Sequence, residues 1–257
     1  MSSRFRSGRL VALFVFATIV WLGEPATATQ EPTSGAYATK IVEAMGDFIE
    51  SAGQLSFTIA SVHTETMADG LPFQLVTEAR VALRRPDRFW VDVRSEQVHN
   101  RFLYDGRRVT LHHLIANLYT TMDAPATIDA TLTRMEEEFG MFIPLADLIA
   151  SDAGRRMMDG VEEITYLGLD EVDGVSCHHL FARQEDLDWE AWIEDGSTLV
   201  PRKIVIDFKN DEGSPTYTAV LSEWNFSPHL HDAVFTQTPP LGARRIELQE
   251  LVREGNP

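Results

Sequence analysis

The fold class of this chain is decided by residues 187–194, whose sequence is Leu187-Asp188-Trp189-Glu190-Ala191-Trp192-Ile193-Glu194. Apolar and acidic side chains alternate along most of this stretch, and a period of two is typical of a β-strand with one buried face. Residues 55–59 and 73–83 alternate in a similar way. The sequence therefore predicts a sheet in which one face of each strand lies on an apolar core.

About ten such strands are predicted, in two blocks of similar size. Short turn signals join them, because Asp69-Gly70, Asp105-Gly106 and Asp173-Gly174 each separate two strand-like stretches. Since hairpins connect strands that run in opposite directions, the sheet is expected to be antiparallel. No linker separates the two blocks, so a single domain is predicted over residues 29–257.

Two amphipathic helices are predicted, one before the first block and one between the blocks. The first spans residues 33–52, where apolar side chains recur at helical spacing before Gly53 ends the pattern. The second carries a narrow apolar stripe formed by Ile128, Leu132, Met135 and Phe139. Thr127 is expected to cap its start and Gly140 its end. A short further helix is expected to begin at Pro144.

The width of this sheet predicts a hollow. An open, twisted sheet of about ten strands must curl or split, and three helical segments hardly suffice to fill its concave side. The predicted fold class is α+β, mainly antiparallel β: an open, half-closed β-barrel covered by the N-terminal helix and by the second helix as a central lid. Hollow barrels of this kind hold one apolar ligand. The side chains expected to line the hollow are Phe57, Ile59, Phe73, Leu75, Phe89, Val91 and Trp189.

The first 28 residues are typical of a secretory signal peptide. Three arginines, the last of them Arg9, precede an apolar run over residues 10–23, which is too short to cross about 30 Å of hydrocarbon comfortably. Ala26-Thr27-Ala28 fits the pattern of a cleavage site, so cleavage after Ala28 is expected. An uncleaved N-terminal anchor is the alternative.

The charge and the cysteine content exclude several classes of protein. The chain has 22 Lys and Arg against 39 Asp and Glu, which gives a net charge of −17. Such a surface repels phosphate backbones and anionic headgroups, so no nucleic-acid partner and only transient membrane contact are expected. A single cysteine, Cys177, excludes an intramolecular disulfide, and we expect it to be a buried small apolar side chain.

The histidines do not predict a metal site. The pairs His112-His113 and His178-His179 lie in predicted strands, where adjacent side chains point to opposite faces. His229 and His231 could share a face, but no third ligand is near them in the sequence. No motif of a catalytic or cofactor site is present, so no enzyme activity and no cofactor are expected. Trp192 lies on the acidic side of its strand, where the C-terminal segment covers it or it forms part of a partner surface.

Five stretches carry a family resemblance: Arg84-Arg85-Pro86-Asp87-Arg88, Tyr104-Asp105-Gly106, Pro144-Leu145-Ala146-Asp147, Cys177-His178-His179 and Pro239-Pro240-Leu241-Gly242-Ala243. Over about residues 36–246 the chain resembles a family of predicted periplasmic bacterial proteins known only as a domain of unknown function. That family looks like a member of the LolA/LolB-like superfamily of lipoprotein and lipid carriers. The resemblance implies an open antiparallel barrel covered by helices, a periplasmic location and non-covalent holding of acyl chains without catalytic residues.

The function predicted from these observations is that of a soluble, monomeric periplasmic carrier. Its partners would be a lipid or the acyl chains of a lipoprotein, together with an envelope protein that exchanges them. Two alternatives stay open. One is a sensor or protein-interaction module on the same fold, and the other is a hydrolase whose site is assembled from residues far apart in sequence.

Overall fold

The computed structural model describes residues 33–66, 71–141, 143–210, 215–236 and 238–247. The predicted signal peptide, its cleavage site and the Asp69-Gly70 turn lie outside the described residues.

One sheet contains all twelve strands of the described residues. In chain order they are β1 (Gln54–Thr66), β2 (Pro72–Arg84), β3 (Arg88–Arg94), β4 (His99–Tyr104), β5 (Arg108–His113), β6 (Leu118–Asp123), β7 (Glu163–Val172), β8 (Val175–Arg183), β9 (Leu187–Glu194), β10 (Pro201–Phe208), β11 (Thr216–Asn225) and β12 (Arg244–Arg245). The helices are α1 (Ser34–Glu50), α2 (Ile128–Phe139) and α3 (Ala153–Met157), and 3₁₀ turns lie at Ala146–Ile149 and Asp232–Val234.

The strands form two meanders that meet in the middle of the sheet. Their order across the sheet is β12-β6-β5-β4-β3-β2-β1-β11-β10-β9-β8-β7. The chain therefore runs outward from β1 to β6, crosses to the opposite edge at β7, and returns to pair β11 with β1. The crossing segment carries α2, the first 3₁₀ turn and α3. We call the face of the sheet that this segment and α1 cover the inner face.

The antiparallel, half-closed barrel is confirmed. Every pairing among the described strands is antiparallel except that of β12, which pairs parallel with β6 over Arg244 and Arg245. The sheet is open, because no pairing within the described residues joins β7 to the opposite edge. The expected count of about ten strands was too low, since it omitted β6 and β12. Strand β6 lacks apolar alternation because its buried position is occupied by Thr120.

The two longer helices agree with the sequence. The N-cap Thr33 of α1 accepts a hydrogen bond from the backbone of Ala36, and the buried face of the helix is apolar. Thr127 caps α2 in the same way through Ala130, and Gly140 ends it in the left-handed conformation. Both predicted caps of α2 are therefore confirmed.

The prediction of the third helix was wrong in its first residue and in the type of helix. The chain forms a 3₁₀ turn that begins at Ala146 instead of a helix that begins at Pro144. The reason is the backbone of Leu145, which is left-handed with φ of 62° and cannot continue an α-helix. The short helix α3 follows this turn and was not predicted.

Helix α1 is fixed against α3 by two glycines. A Cβ atom on Gly46 would lie 2.5 Å from the backbone nitrogen of Gly154, so only glycine allows this approach. The inward side of α1 is fully or almost fully buried and consists of Ala38, Ile41, Val42, Met45 and Ile49. This packing covers one part of the inner face and leaves another part to the crossing segment.

The C-terminal segment contacts the outer face. After β11 the chain meets Arg84, whose guanidinium donates a hydrogen bond of 3.0 Å to the carbonyl of Leu230 and pairs with Asp232. Phe235 is buried beneath the same guanidinium. The segment then reaches the far edge of the sheet as β12. The inner face is therefore left to α1, the crossing segment and the space between them.

Candidate functional site

A cavity of about 700 Å³ lies on the inner face, where the two meanders meet. Its volume falls within the range of ligand pockets, roughly 300–1,000 Å³. Most of the wall is apolar. It is lined by Ile59, Ser61, His63, Thr64, Thr77, Ala79, Val81, Val91, Val93, Ile143, Pro144, Ile149, Phe208, Pro215, Thr216 and Tyr217.

The register of the strands builds the floor of the cavity. Ile59 pairs with Ala79, and Ala79 pairs with Val93, so three strands present an apolar row on the same face. Ser61 pairs with Thr77 in the next inward-facing row. Because side chains alternate between faces, this surface follows from the period of two in β1, β2 and β3.

The crossing segment provides the roof, which we define as residues 143–149. Ile143, Pro144 and Ile149 line the cavity from this side. The Arg85 guanidinium donates a hydrogen bond of 2.8 Å to the carbonyl of Ile149 and thereby ties the end of the roof to the turn between β2 and β3. The roof contains only one short 3₁₀ turn, so few backbone hydrogen bonds stiffen it.

A small polar group interrupts the apolar wall. Ser61 is 5% exposed, and its hydroxyl lies 2.7 Å from the Thr77 hydroxyl. Burial raises the pKa of the Tyr217 phenol, and a hydrogen bond with Ser61 opposes this shift only in part. The ring of His63 lies 6.2 Å from that of Tyr217. These neutral hydroxyls can accept or donate hydrogen bonds to a ligand without adding charge to the cavity.

Two of the seven side chains predicted to line the hollow, Ile59 and Val91, lie in the wall of this cavity. Phe73 and Leu75 are half-buried on the same face of β2, outside that wall. Trp189 lines a smaller space of about 140 Å³ beyond the roof.

The remaining two side chains pack within the core. Phe57 stacks on Trp224 with ring centroids 4.3 Å apart, and Phe89 lies 5.2 Å from the ring of Tyr104. Both are members of the continuous hydrophobic core.

The apolar stripe of α2 is buried in the same core. Ile128, Leu132, Met135 and Phe139 are all less than a tenth exposed. Leu132 also borders a polar space of about 360 Å³, which Ile143 shares. The main cavity is bordered by the roof rather than by this stripe. The movement of α2 as a lid stays a prediction, and the substitution Leu132→Asp tests it.

The sequence-based predictions did not include the residues that form the roof of the cavity or supply its polar groups. Ser61, Thr77 and Tyr217 interrupt or end apolar alternation, so they were not taken as lining. Ile143 lies in an irregular segment without a period. Ser61 and Thr77 could have been identified from the sequence, because they occupy inward-facing positions of β1 and β2 and lie directly opposite each other in a hairpin.

The histidine pairs divide between the two faces, as the strand period requires. His178 pairs with Ile193 on the inner side and contacts Tyr166, whereas His179 stacks on Trp192 with ring centroids 4.0 Å apart. Within the residues that the structure describes, no group of three His, Cys, Asp or Glu side chains could hold a metal ion. The expected burial of Cys177 is confirmed, and burial raises the pKa of its thiol.

Trp192 is covered by its neighbours on the outer face of the sheet. Besides the stacked His179, the ammonium of Lys203 lies 4.2 Å from its ring, and its indole N–H donates a hydrogen bond of 2.9 Å to Asp170. Strands β7, β8 and β10 supply these groups. The two expectations for Trp192, cover by the C-terminal segment or a free partner surface, are both replaced by this arrangement.

The comparisons with known proteins show the family. The model of the family described as "Predicted periplasmic protein (DUF2092)" matches residues 38–249, and the chain therefore belongs to this family of predicted periplasmic proteins. The resemblance derived from the five sequence stretches is thereby confirmed. No curated protein matches the sequence. No helix of the described residues is long and apolar enough to span a membrane.

Several solved structures are similar to this chain. They include an uncharacterized conserved protein from Thermus thermophilus, with 12% identity, a TM-score of 0.48 and coverage of 82% of this chain and 98% of that one. Lipoprotein LppX of Mycobacterium tuberculosis matches with 13% identity, a TM-score of 0.47 and coverage of 76% and 98%. A LolA superfamily protein from Nitrosomonas europaea matches with 11% identity, a TM-score of 0.38 and coverage of 78% and 97%.

Proposed function

We propose that this protein is a non-enzymatic periplasmic carrier, which holds the acyl part of a lipid or of a lipoprotein in the cavity of the inner face. The observation that carries the proposal is the cavity of about 700 Å³, whose wall is largely apolar and whose few polar groups are mostly neutral. Each methylene that leaves water for such a wall contributes about 0.8 kcal/mol. An acyl chain therefore gains enough free energy to be held without a covalent bond.

The roof is the proposed route of entry. Residues 143–149 are held by one 3₁₀ turn, one hydrogen bond from Arg85 and the buried side chains of Leu148 and Ile149, so their opening breaks fewer hydrogen bonds than the separation of paired strands would. The floor, in contrast, consists of paired strands of a continuous sheet. A ligand would enter when the roof moves and would be enclosed when it returns.

The export of the protein is part of the same proposal. Residues 1–28 would act as a signal peptide, and residues 29–257 would form the mature single-domain protein. The membership in a family of predicted periplasmic proteins supports this location. The excess of Asp and Glu over Lys and Arg would limit contact with anionic membrane surfaces to short encounters.

Filling the cavity tests the proposal. Delipidated protein is titrated with a fluorescent lysophosphatidylcholine probe, and Val93→Phe, which adds a ring to the floor, should weaken uptake at least roughly tenfold. Val76→Phe is the matched control, because Val76 lies on the adjacent strand but is 62% exposed and faces outward. Saturable uptake by the wild type and by Val76→Phe, together with weakened uptake by Val93→Phe, supports the carrier. Absence of uptake by the wild type, or equal uptake by both variants, contradicts it.

A further inference from the structure

Two smaller spaces lie next to the main cavity beneath the crossing segment. The first, of about 140 Å³, lies between the crossing segment and strands β9 and β10. Its apolar wall is formed by Ile143, Leu145, Leu148, Met157, Leu187, Trp189, Ile204 and Ile206. The second, of about 360 Å³, is largely polar. The two spaces share Asp147, Arg156 and Gln184 in their walls, so they are adjacent.

Ile143 borders all three spaces. Its side chain belongs to the wall of the main cavity, to that of the apolar space and to that of the polar space. The main cavity and the apolar space are also adjacent on the strand side, because Phe208 lines the main cavity while Ile206, on the same face of β10, lines the apolar space. One side chain of the crossing segment therefore stands at the junction of a path from the main cavity to the polar space.

The backbone next to Ile143 is restricted. Pro144 disfavours helical conformations at the preceding residue, Ile143. Leu145 is left-handed with φ of 62°, a conformation that is strained for a residue other than glycine. Relief of this strain would change the direction of the chain at the junction and move the side chain of Ile143.

We propose that Ile143 is a partition between two acyl-chain chambers, the main cavity and the apolar space lined by Ile206, and that the preferred ligand is a two-chain lipid. The inference rests on the proposed function and adds the ligand class to it. One chain would occupy the main cavity. The second would displace the side chain of Ile143 and extend between the crossing segment and strands β9 and β10.

The charges around the polar space select among head groups. Among the described residues, Glu136, Asp147 and Asp159 line this space with a single cation, Arg156. That cation is already paired, since its Nε lies 2.5 Å from an oxygen of Asp152. An anionic head group would therefore meet net repulsion here, whereas a zwitterionic or uncharged one would not. The ligand class is a two-chain lipid without net negative charge.

The test uses the delipidated mature protein and two probes that share a phosphocholine head group. One is a phosphatidylcholine, and the other is the lysophosphatidylcholine with the same single chain. Ile206→Phe should weaken binding of the two-chain probe roughly tenfold, the equivalent of about 1.4 kcal/mol, while the one-chain probe changes less than about twofold. Val93→Phe in the main cavity should weaken both probes. Thermal unfolding shows that each variant is folded.

The outcomes separate the inference from the proposed function. If the wild type binds neither probe, the carrier proposal fails. If it binds the one-chain probe alone, or if Ile206→Phe affects both probes equally or neither, the second chamber is contradicted and the carrier proposal stands. A phosphatidylglycerol with the same two chains should bind more weakly than the phosphatidylcholine, and equal or tighter binding contradicts the assignment of the head group. Ile143→Ala should favour the two-chain probe, and a loss of its binding would contradict the partition.

Discussion

Arg85 and Ile149 are joined by a hydrogen bond of 2.8 Å, which the guanidinium Nη1 of Arg85 donates to the carbonyl oxygen of Ile149. Arg85 follows β2, and Ile149 ends the roof, so the bond connects the sheet to the segment above the cavity. Burial lowers the pKa of Arg85, and the charges of Asp129 and Glu50 act in the opposite direction. A charged group is thus partly buried at the point where the roof is attached.

Removal of this attachment should loosen the roof. Arg85→Gln is expected to lower the free energy of unfolding by about 1–3 kcal/mol, because the Ile149 carbonyl loses a charged donor. Hydrogen exchange of the amides in residues 143–150 should accelerate. Arg84→Gln is the matched control, since Arg84 contacts the C-terminal segment on the outer face. Equal protection of residues 143–150 in the wild type and in Arg85→Gln would show that the bond does not hold the roof.

Leu132→Asp distinguishes a structural role of α2 from a lid role. Leu132 is 7% exposed and belongs to the hydrophobic core, so a buried carboxylate should cost about 3 kcal/mol or more of unfolding free energy. Glu137→Ala, on the exposed side of α2, is the control and should leave stability within about 0.5 kcal/mol. Chemical denaturation measures both. A cost below about 1 kcal/mol together with weakened probe uptake would make α2 itself the lid.

Asp92 is the centre of an ion cluster on the outer face. It is 1% exposed and accepts hydrogen bonds from Arg94 at 2.7 Å and Arg101 at 2.6 Å, and His99 lies within 3.1 Å. Burial alone would raise the pKa of Asp92, but the hydrogen bonds from Arg101, Arg94 and His99 together outweigh it, and the pKa is lowered. The charged carboxylate is therefore the form that stabilises the fold.

The pH dependence of stability follows from this shift. A lowered pKa in the folded state means that the stabilisation by Asp92 is fully present above about pH 4, the value for an unfolded chain, and is lost as the pH falls through the folded pKa. Asp92→Asn should cost about 2 kcal/mol at pH 7 and reduce the loss of stability in acid. Urea titrations between pH 7 and pH 3 measure both effects. An unchanged acid profile in Asp92→Asn would contradict this role.

His112 should also lower the stability of the fold as the pH falls, in a pH range above that of Asp92. It is 4% exposed, and burial lowers the pKa of its ring. A hydrogen bond with Asn117 opposes this shift only in part, and the charges of Arg101 and His99 add to it. The unfolded chain then binds a proton below about pH 6.5 while the folded protein does not, so stability falls as the pH drops through this region. His112→Asn should lose less stability between pH 7 and pH 5.5 than the wild type. Identical profiles for His112→Asn and the wild type would contradict the prediction.

Much of the sheet could be predicted because its strands are amphipathic. The alternation in residues 187–194 and the turn at Asp105-Gly106 fixed strands, partners and direction from local sequence alone. The strands that were missed lack this signal, as β6 buries Thr120 and β12 is two residues long. The pairing of β11 with β1 is a relation between distant parts of the chain, which periodicity does not encode.

The candidate site was predicted less completely than the sheet. Ile59 and Val91 were predicted as lining because they alternate inward, but the same rule included Phe57 and Phe89, which pack within the core. The position of the roof decides which inward-facing side chains line the cavity and which ones pack within the core. The roof is irregular, and its path turns on the left-handed conformation of Leu145, which the sequence did not signal.

The central claim is that the cavity on the inner face holds acyl chains. Native mass spectrometry of the mature protein, released gently from the periplasm, tests it most directly. The account predicts a complex whose extra mass is that of a lipid, which is extracted and identified on denaturation and is greatly reduced in Val93→Phe but not in Val76→Phe. The mass of the bare protein in the wild type, or an adduct that persists unchanged in Val93→Phe, would contradict it.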